Sequence, residues 1–254
     1  MIIDTHAHYG DAAFDADREE LILSLPGNGI EKVIEVGASV ASSRNMLSLI
    51  EKYPHVYGAI GVHPDEVGEL TEEIMETFRE AIFSHPKVLA VGEIGLDYYW
   101  NKEKSDIQKK WFIRQLQLAR ETKKPVIIHS REAAKDTFDI MKTEAKDLSG
   151  VIHCYSYSPE MAKDYVRMGY YIGVGGVVTF KNGKRLKETV QAVPMDRILL
   201  ETDCPYLSPE PNRGKRNSSL NLPYVVDVIA ELKGIPASEV IKQTRANAES
   251  VFQF

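Results

Sequence analysis

Eight short apolar, β-branched runs recur along the chain: Ile2–Ile3, Val33–Val36, Val56–Ile60, Val88–Val91, Val126–Ile128, Val151–Ile152, Tyr170–Val174 and Ile198–Leu200. They are solidly apolar rather than alternating, the pattern of strands covered on both faces. Segments with helical spacing lie between them. Ser105 and Gln108 have the form of a capping box ahead of Trp111, Phe112, Leu116 and Ala119. Ser158 reads as an N-cap with Pro159 at the first helical position, and Gly169 suits the exit of that helix. Thr71 precedes Glu72 and Glu73, two acids well placed against a helix N-terminus. Strands alternating with helices imply βαβ units and a parallel sheet. Eight such units predict an α/β fold, a closed TIM-like (β/α)8 barrel spanning residues 1–254 as one domain, with a doubly wound open sheet as the competing arrangement. The length of 254 residues suits a barrel, which typically runs to about 250.

The formal net charge of -6 argues against broad wrapping of duplex nucleic acid, which calls for a basic face. It leaves room for a small, locally basic mouth. Two cysteines, Cys154 and Cys204, do not make a disulfide scaffold and point to a reducing compartment. The first residues carry no basic leader or long apolar run, and no stretch approaches the ~20 apolar residues of a membrane span. The expectation is a cytoplasmic protein without membrane association.

Metal-type side chains fall at the carboxyl ends of these runs. His6 and His8 follow the first, His63 the third, Glu93 the fourth, His129 the fifth, His153 the sixth and Asp203 the eighth. In a barrel those ends converge on one face, where catalytic groups gather. His6 and His8 are two apart, so on an extended strand both imidazoles point to one side. Glu93 is a lone carboxylate among apolar neighbours, a costly burial unless it is paired or coordinates a metal. Imidazole and carboxylate together suit zinc and similar divalent ions. The set His6, His8, Glu93, His129, His153 and Asp203 exceeds one tetrahedral site and fits two ions sharing a bridging group. A lone strand-end histidine is ordinarily structural; a whole set at matching strand ends is not. His55 and His85, beside prolines, read as surface loop residues, and the two cysteines as small buried side chains.

Six segments carry a resemblance. They are Asp4-Thr5-His6-Ala7-His8, Gly61-Val62-His63-Pro64, Gly92-Glu93-Ile94-Gly95-Leu96-Asp97-Tyr98, Ile128-His129-Ser130-Arg131, His153-Cys154-Tyr155-Ser156 and Glu201-Thr202-Asp203-Cys204-Pro205-Tyr206-Leu207. With Arg213-Gly214-Lys215-Arg216-Asn217 they resemble, in order and over essentially the whole chain, the motif series of the TatD-type metal-dependent deoxyribonucleases. The resemblance implies an amidohydrolase-superfamily barrel with two divalent ions, the six ligands named above with Glu93 bridging, and phosphodiester cleavage in DNA. One departure is Asp65, where many family members carry a second histidine; an extra carboxylate there is expected to repel phosphate unless it binds metal.

The mechanism expected from this pattern uses two cations ~3.5–4 Å apart, which activate a water and clamp the attacking and leaving oxygens. One ion is assigned to His6, His8, Glu93 and Asp203, the other to Glu93, His129 and His153. The ions are zinc, manganese, magnesium or iron. Asp203 is the candidate general base, with Glu93 the second catalytic carboxylate. His63, Arg131, Arg213, Lys215 and Arg216 are candidates for holding phosphate, the arginines through their planar fork. Lys184 and Lys187 read as a solvated face. Tyr98, Tyr99 and Trp100 suit either stacking on an unpaired base or packing over the barrel mouth. The expected substrate is single-stranded DNA or its 3′ ends, with no obligate protein partner. Competing readings are a binuclear hydrolase of an ester or amide, such as the ester of an aminoacylated RNA, and a low-turnover metal-containing quality-control protein.

Overall fold

The computed structural model describes residues 1–254, the whole chain. The strands are β1 (Ile2–Ala7), β2 (Ile30–Val36), β3 (Val56–Ile60), β4 (Val88–Asp97), β5 (Val126–Arg131), β6 (Gly150–Ile152), β7 (Tyr171–Val174) and β8 (Ile198–Leu200). Between them run α1 (Arg18–Ser24), α2 (Val40–Lys52), α3 (Glu72–Ser84), α4 (Tyr98–Asn101), α5 (Ser105–Thr122), α6 (Ala134–Glu144), α7 (Pro159–Arg167) and α8 (Lys184–Ala192). Two helices, α9 (Leu222–Lys233) and α10 (Ala237–Phe252), follow the last strand. The strands pair in parallel in the order β1 to β8. The ring closes through a parallel bridge between Ala7 and Cys204, with His8 N–H donating to Cys204 O at 2.9 Å and Asp203 N–H to His6 O at 2.9 Å. This is the expected TIM-like barrel rather than an open sheet.

Strand alternation sorts the core into two clusters. Ile2, Val88, Val126, Ile128, Ile152, Ile172, Ile198 and Leu200 face the surrounding helices. Ile3, Leu89, Ile127, Val151, Tyr171 and Leu199 fill the barrel interior, together with Val251 and Phe252 of α10. The C-terminal helix thus plugs the amino end of the barrel, leaving the carboxyl end for chemistry. Asn247 fixes it there, donating to Met195 O at 3.0 Å and Ile198 O at 2.8 Å. Arg245 adds a forked ion pair with Glu31, at 2.6 and 2.9 Å. That hydrogen-bonded guanidinium holds the Glu31 carboxyl at about 2, below its ordinary 4.5. The pair's stabilisation is therefore complete above pH 4.5 and lost as pH falls toward 2. Glu31→Gln is expected to cost no more than about 1 kcal/mol at neutral pH, since the pair is partly solvated. Urea melts of both proteins should converge as the pH drops through this window; a constant gap would contradict the assignment.

Thr71 and Ser158 cap α3 and α7 as expected, accepting from Ile74 N–H and Met161 N–H. Gly169 leaves α7 at φ +96°, a left-handed conformation that favours glycine. The capping box expected at Ser105 is absent. Ser105 is already helical, and Gln108 turns inward to accept from Asp97 N–H at 3.0 Å and donate to Asp97 O at 2.9 Å. A buried amide satisfies the end of β4 instead of the start of α5. No helix is long and apolar enough to cross a membrane.

Candidate metal centre

Alternation carries the interior position Ile127 on to His129 within β5 and Val151 to His153 just past β6, while Glu201 and Asp203 stand in the segment after β8. With β1 and β4 they meet at the carboxyl end of the barrel. His6 Nε2 lies 3.0 Å from His8 Nε2, 3.5 Å from Glu93 Oε2 and 3.8 Å from Asp203 Oδ1. His8 Nε2 is 3.4 Å from Asp203 Oδ1 and 3.9 Å from Glu93 Oε2. On the other side of the same carboxylate, Glu93 Oε1 meets His129 Nδ1 at 2.7 Å and His153 Nε2 at 3.6 Å. Glu93 therefore presents its two oxygens to two different pairs of imidazoles. His153 also stacks on His6, ring centroids 3.5 Å apart, and reaches to 4.0 Å from Asp203 Oδ1. Asp203 and Cys154 sit at φ +58° and +45°, left-handed backbone that non-glycine residues adopt at a cost and that collects at functional sites.

These separations are chemically specific. Ligands about 2.0–2.2 Å from a tetrahedral ion stand about 3.3–3.6 Å from one another. The outer ring nitrogens carry the partners that orient a metal-binding imidazole. His8 Nδ1 meets Val36 O at 2.9 Å, His153 Nδ1 meets Glu201 Oε2 at 3.1 Å and His129 Nε2 meets Asp97 Oδ2 at 3.1 Å. His6 is the exception, its buried Nδ1 having no partner. The donor set fits divalent ions. The grouping is less tidy than the two expected shells: His153 lies with His6 and Glu93, while His129 also groups with His63 and Asp97.

Burial alone would lower the imidazole pKa of His8, His129 and His153, but the surrounding carboxylates outweigh it and lift each to about 9. Burial alone would raise Glu93; the histidines around it, His129 foremost, hold it well below the usual carboxylate range. In the metal-free chain these imidazoles are thus protonated at neutral pH, whereas a ligand imidazole must be neutral. Metal uptake is expected to release protons, and affinity to rise with pH until about 9. Calorimetric titration with zinc or manganese from pH 6 to 8 should show at least about a tenfold gain per pH unit. A pH-independent affinity would contradict this proton competition.

The phosphate-binding candidates are less uniformly placed. His63 lies against His129, ring centroids 4.2 Å apart. Burial and the neighbouring His129 push its pKa down to about 4, so at neutral pH it hydrogen-bonds rather than donates charge. Arg131 stands beside Asp97 in the β4–β5 register. Arg213 lies over the Phe180 ring at 4.3 Å and near Glu210 at 4.0 Å, and Lys215 has no ion pair. Arg216 departs from expectation. Its guanidinium forks onto Asp17 at 2.7 and 2.5 Å and donates to Ala13 O, so it fastens the loop after β8 to the one after β1.

Four further carboxylates were not among the candidates. Glu201 orients His153 and accepts from Cys154 N–H at 2.6 Å. Glu35 accepts from Tyr9 N–H at 2.7 Å and Gly10 N–H at 2.8 Å, shaping the turn after His8. Asp4 accepts from Thr202 and Ser219 hydroxyls at 2.7 and 2.6 Å, joining β1 to the β8 loop. Asp97 orients His129. Three of them stand inside motifs named above, and their signal is a carboxylate in a segment too apolar to leave it unpaired.

A family model described as TatD related DNase matches residues 3–253. The chain belongs to that family. It is thereby a metal-dependent hydrolase of the TatD type. It is 42% identical over its full length to the uncharacterized metal-dependent hydrolase YabD of Bacillus subtilis (strain 168), covering 99% of that protein. Among solved structures it matches YjjV, a TatD homologue from Escherichia coli K12, with a TM-score of 0.92 and 30% identity, covering 100% of this chain and 98% of that one. A phosphotriesterase homology protein from Escherichia coli, crystallised with phosphate in its active site, shares the fold at a TM-score of 0.71 and 16% identity, covering 99% of this chain and 98% of that one.

Proposed function

We propose that this TatD-family chain is a deoxyribonuclease that cleaves phosphodiester bonds in single-stranded DNA or at 3′ ends, holding two divalent ions. The observation that carries the reading is the division of Glu93: Oε2 toward His6 and His8, Oε1 toward His129 and His153. That is the arrangement of a bridging carboxylate. When bound, two ions supply Lewis acidity toward a phosphoryl oxygen and a lowered pKa for the attacking water. Asp203 holds the proton-accepting position. Its side chain is 20% exposed against 5% for Glu93, so it is the carboxylate an incoming water reaches. His63, neutral, hydrogen-bonds a phosphate oxygen. Arg131, Arg213 and Lys215 attract the phosphate groups flanking the bond, a small basic rim on a chain of net charge -6. Both cysteines are unpaired, which fits action in the reducing cytoplasm.

The test is a product analysis of end-labelled single-stranded DNA, RNA and an aminoacylated RNA with magnesium, manganese and zinc, alongside elemental analysis. The expected result is cleavage of DNA by a protein holding close to two ions per chain. Full activity after exhaustive chelation, or ester hydrolysis with intact DNA, would overturn the proposal.

A further inference from the structure

The helical turn α4 sits directly on the carboxyl end of β4 and carries three consecutive aromatic residues. The first is committed to the fold: Tyr98 packs on the core and its hydroxyl donates to Asp136 Oδ2 at 2.8 Å. The next two are not. Tyr99 is 49% exposed and Trp100 62%, their rings edge to face at a centroid distance of 4.6 Å. Arg131, two residues beyond His129, lays its guanidinium over Tyr99 at 3.9 Å and within 5.6 Å of Trp100. Its guanidinium makes no ion pair or hydrogen bond within the chain, so its N–H donors are available to a ligand.

This aromatic turn is braced against the metal centre. Asp97 Oδ1 accepts from Tyr99 N–H at 2.8 Å and Trp100 N–H at 3.3 Å, while its Oδ2 meets His129 Nε2 at 3.1 Å. The far end of α4 is tied by Asn101, whose amide donates to Asp65 Oδ1 at 3.0 Å. Asp65 is the residue that departs from the family pattern. One of its carboxylate oxygens is engaged in holding the turn, and the other lies 3.8 Å from His63 Nδ1.

We propose that Tyr99, Trp100 and Arg131 form a subsite for one unpaired base and its phosphate beside the scissile bond, with Asp65 as a positioning residue; this rests on the nucleic-acid reading above. The rings offer a π-face to a base, and the guanidinium edge offers donors to the adjoining phosphate. A base inside a duplex is already stacked on both sides and cannot present its face here. The subsite therefore selects single strands and frayed ends over duplex.

The experiment compares kcat and KM of the metal-loaded enzyme on a short single-stranded oligodeoxynucleotide and on the same strand with one abasic residue near the cut. A 2-aminopurine at that position reports stacking by quenching. Wild-type enzyme should prefer the intact strand on the order of five- to a hundredfold in kcat/KM, the range for base–aromatic stacking. The Tyr99→Ala/Trp100→Ala variant should lose the quenching and the preference, its kcat/KM on the intact strand falling to within about twofold of its own value on the abasic strand. Asp65→Ala should weaken the preference through KM, and Asp65→Asn, which keeps the acceptor oxygen, should restore it. Circular dichroism establishes that each variant is folded. Cleavage of the intact strand with no preference, or an unchanged preference in the double variant, would overturn the subsite and leave the nuclease reading standing. Failure of the wild-type enzyme to cleave either strand would overturn the nuclease reading and the subsite with it.

Discussion

Glu93→Gln should lower cleavage of single-stranded DNA by about a thousandfold or more without unfolding the barrel. Glutamine keeps the shape of the side chain but removes the charge on which both imidazole pairs converge. If two ions are held as proposed, loss of the anion between them leaves their mutual repulsion less compensated, so at least one is expected to be lost. Lewis-acid stabilisation of a phosphoryl group supplies several kcal/mol, and each 1.36 kcal/mol is about tenfold in rate. The variant should hold close to one ion or none by elemental analysis and show a melting transition as cooperative as wild type. Near-normal cleavage by a folded Glu93→Gln protein would remove the bridging role.

Asp203→Asn should cost about 10²–10⁴ in kcat, the range for a positioned proton acceptor. Asp203 also lies 3.4 Å from His8 Nε2, so loss of a ligand and loss of a base have to be separated. Excess metal separates them. If Asp203 only held an ion, saturating zinc or manganese would restore the rate along with occupancy. If it accepts the proton, occupancy returns and the rate stays low, because the amide oxygen cannot take up a proton at neutral pH. Recovery to within about threefold of wild type at saturating metal would exclude the proton-accepting role.

The strand frame was legible in the amino-acid sequence because a barrel strand is buried on both faces and is mostly apolar away from the site. Val56–Ile60 and Ile198–Leu200 coincide with the structure residue for residue. The ends were harder. β4 runs on from Val91 to Asp97, and β1 from Ile3 to Ala7, because their polar tails are buried at the mouth rather than exposed in loops. An apolar run ends where function begins, so composition understates strand length at a site. The six converging side chains were legible as metal-type residues at matching strand ends. Their orienting partners Glu201 and Asp97 stand in the same motifs, but which imidazole each one turns is a contact that only the three-dimensional arrangement defines. The same holds for Arg216, whose partner Asp17 lies 199 residues away in the chain. Of the aromatic trio, Tyr98 packs on the core as one of the two expectations had it, while Tyr99 and Trp100 stand exposed.

The seam of the barrel has a consequence for how such an enzyme comes into being. The end of β1 meets the segment after β8 at a single bridge, Ala7 to Cys204, and the side chains next to it in the chain include His8 and Asp203. An ion held between them would act as a clasp on the last gap in the ring. It would also join the two ends of the chain's longest journey. A ribosome has to deliver the chain through β8 before His6 and His8 meet Asp203, so a chain stopped short of that strand has Glu93 beside these histidines but lacks the second carboxylate.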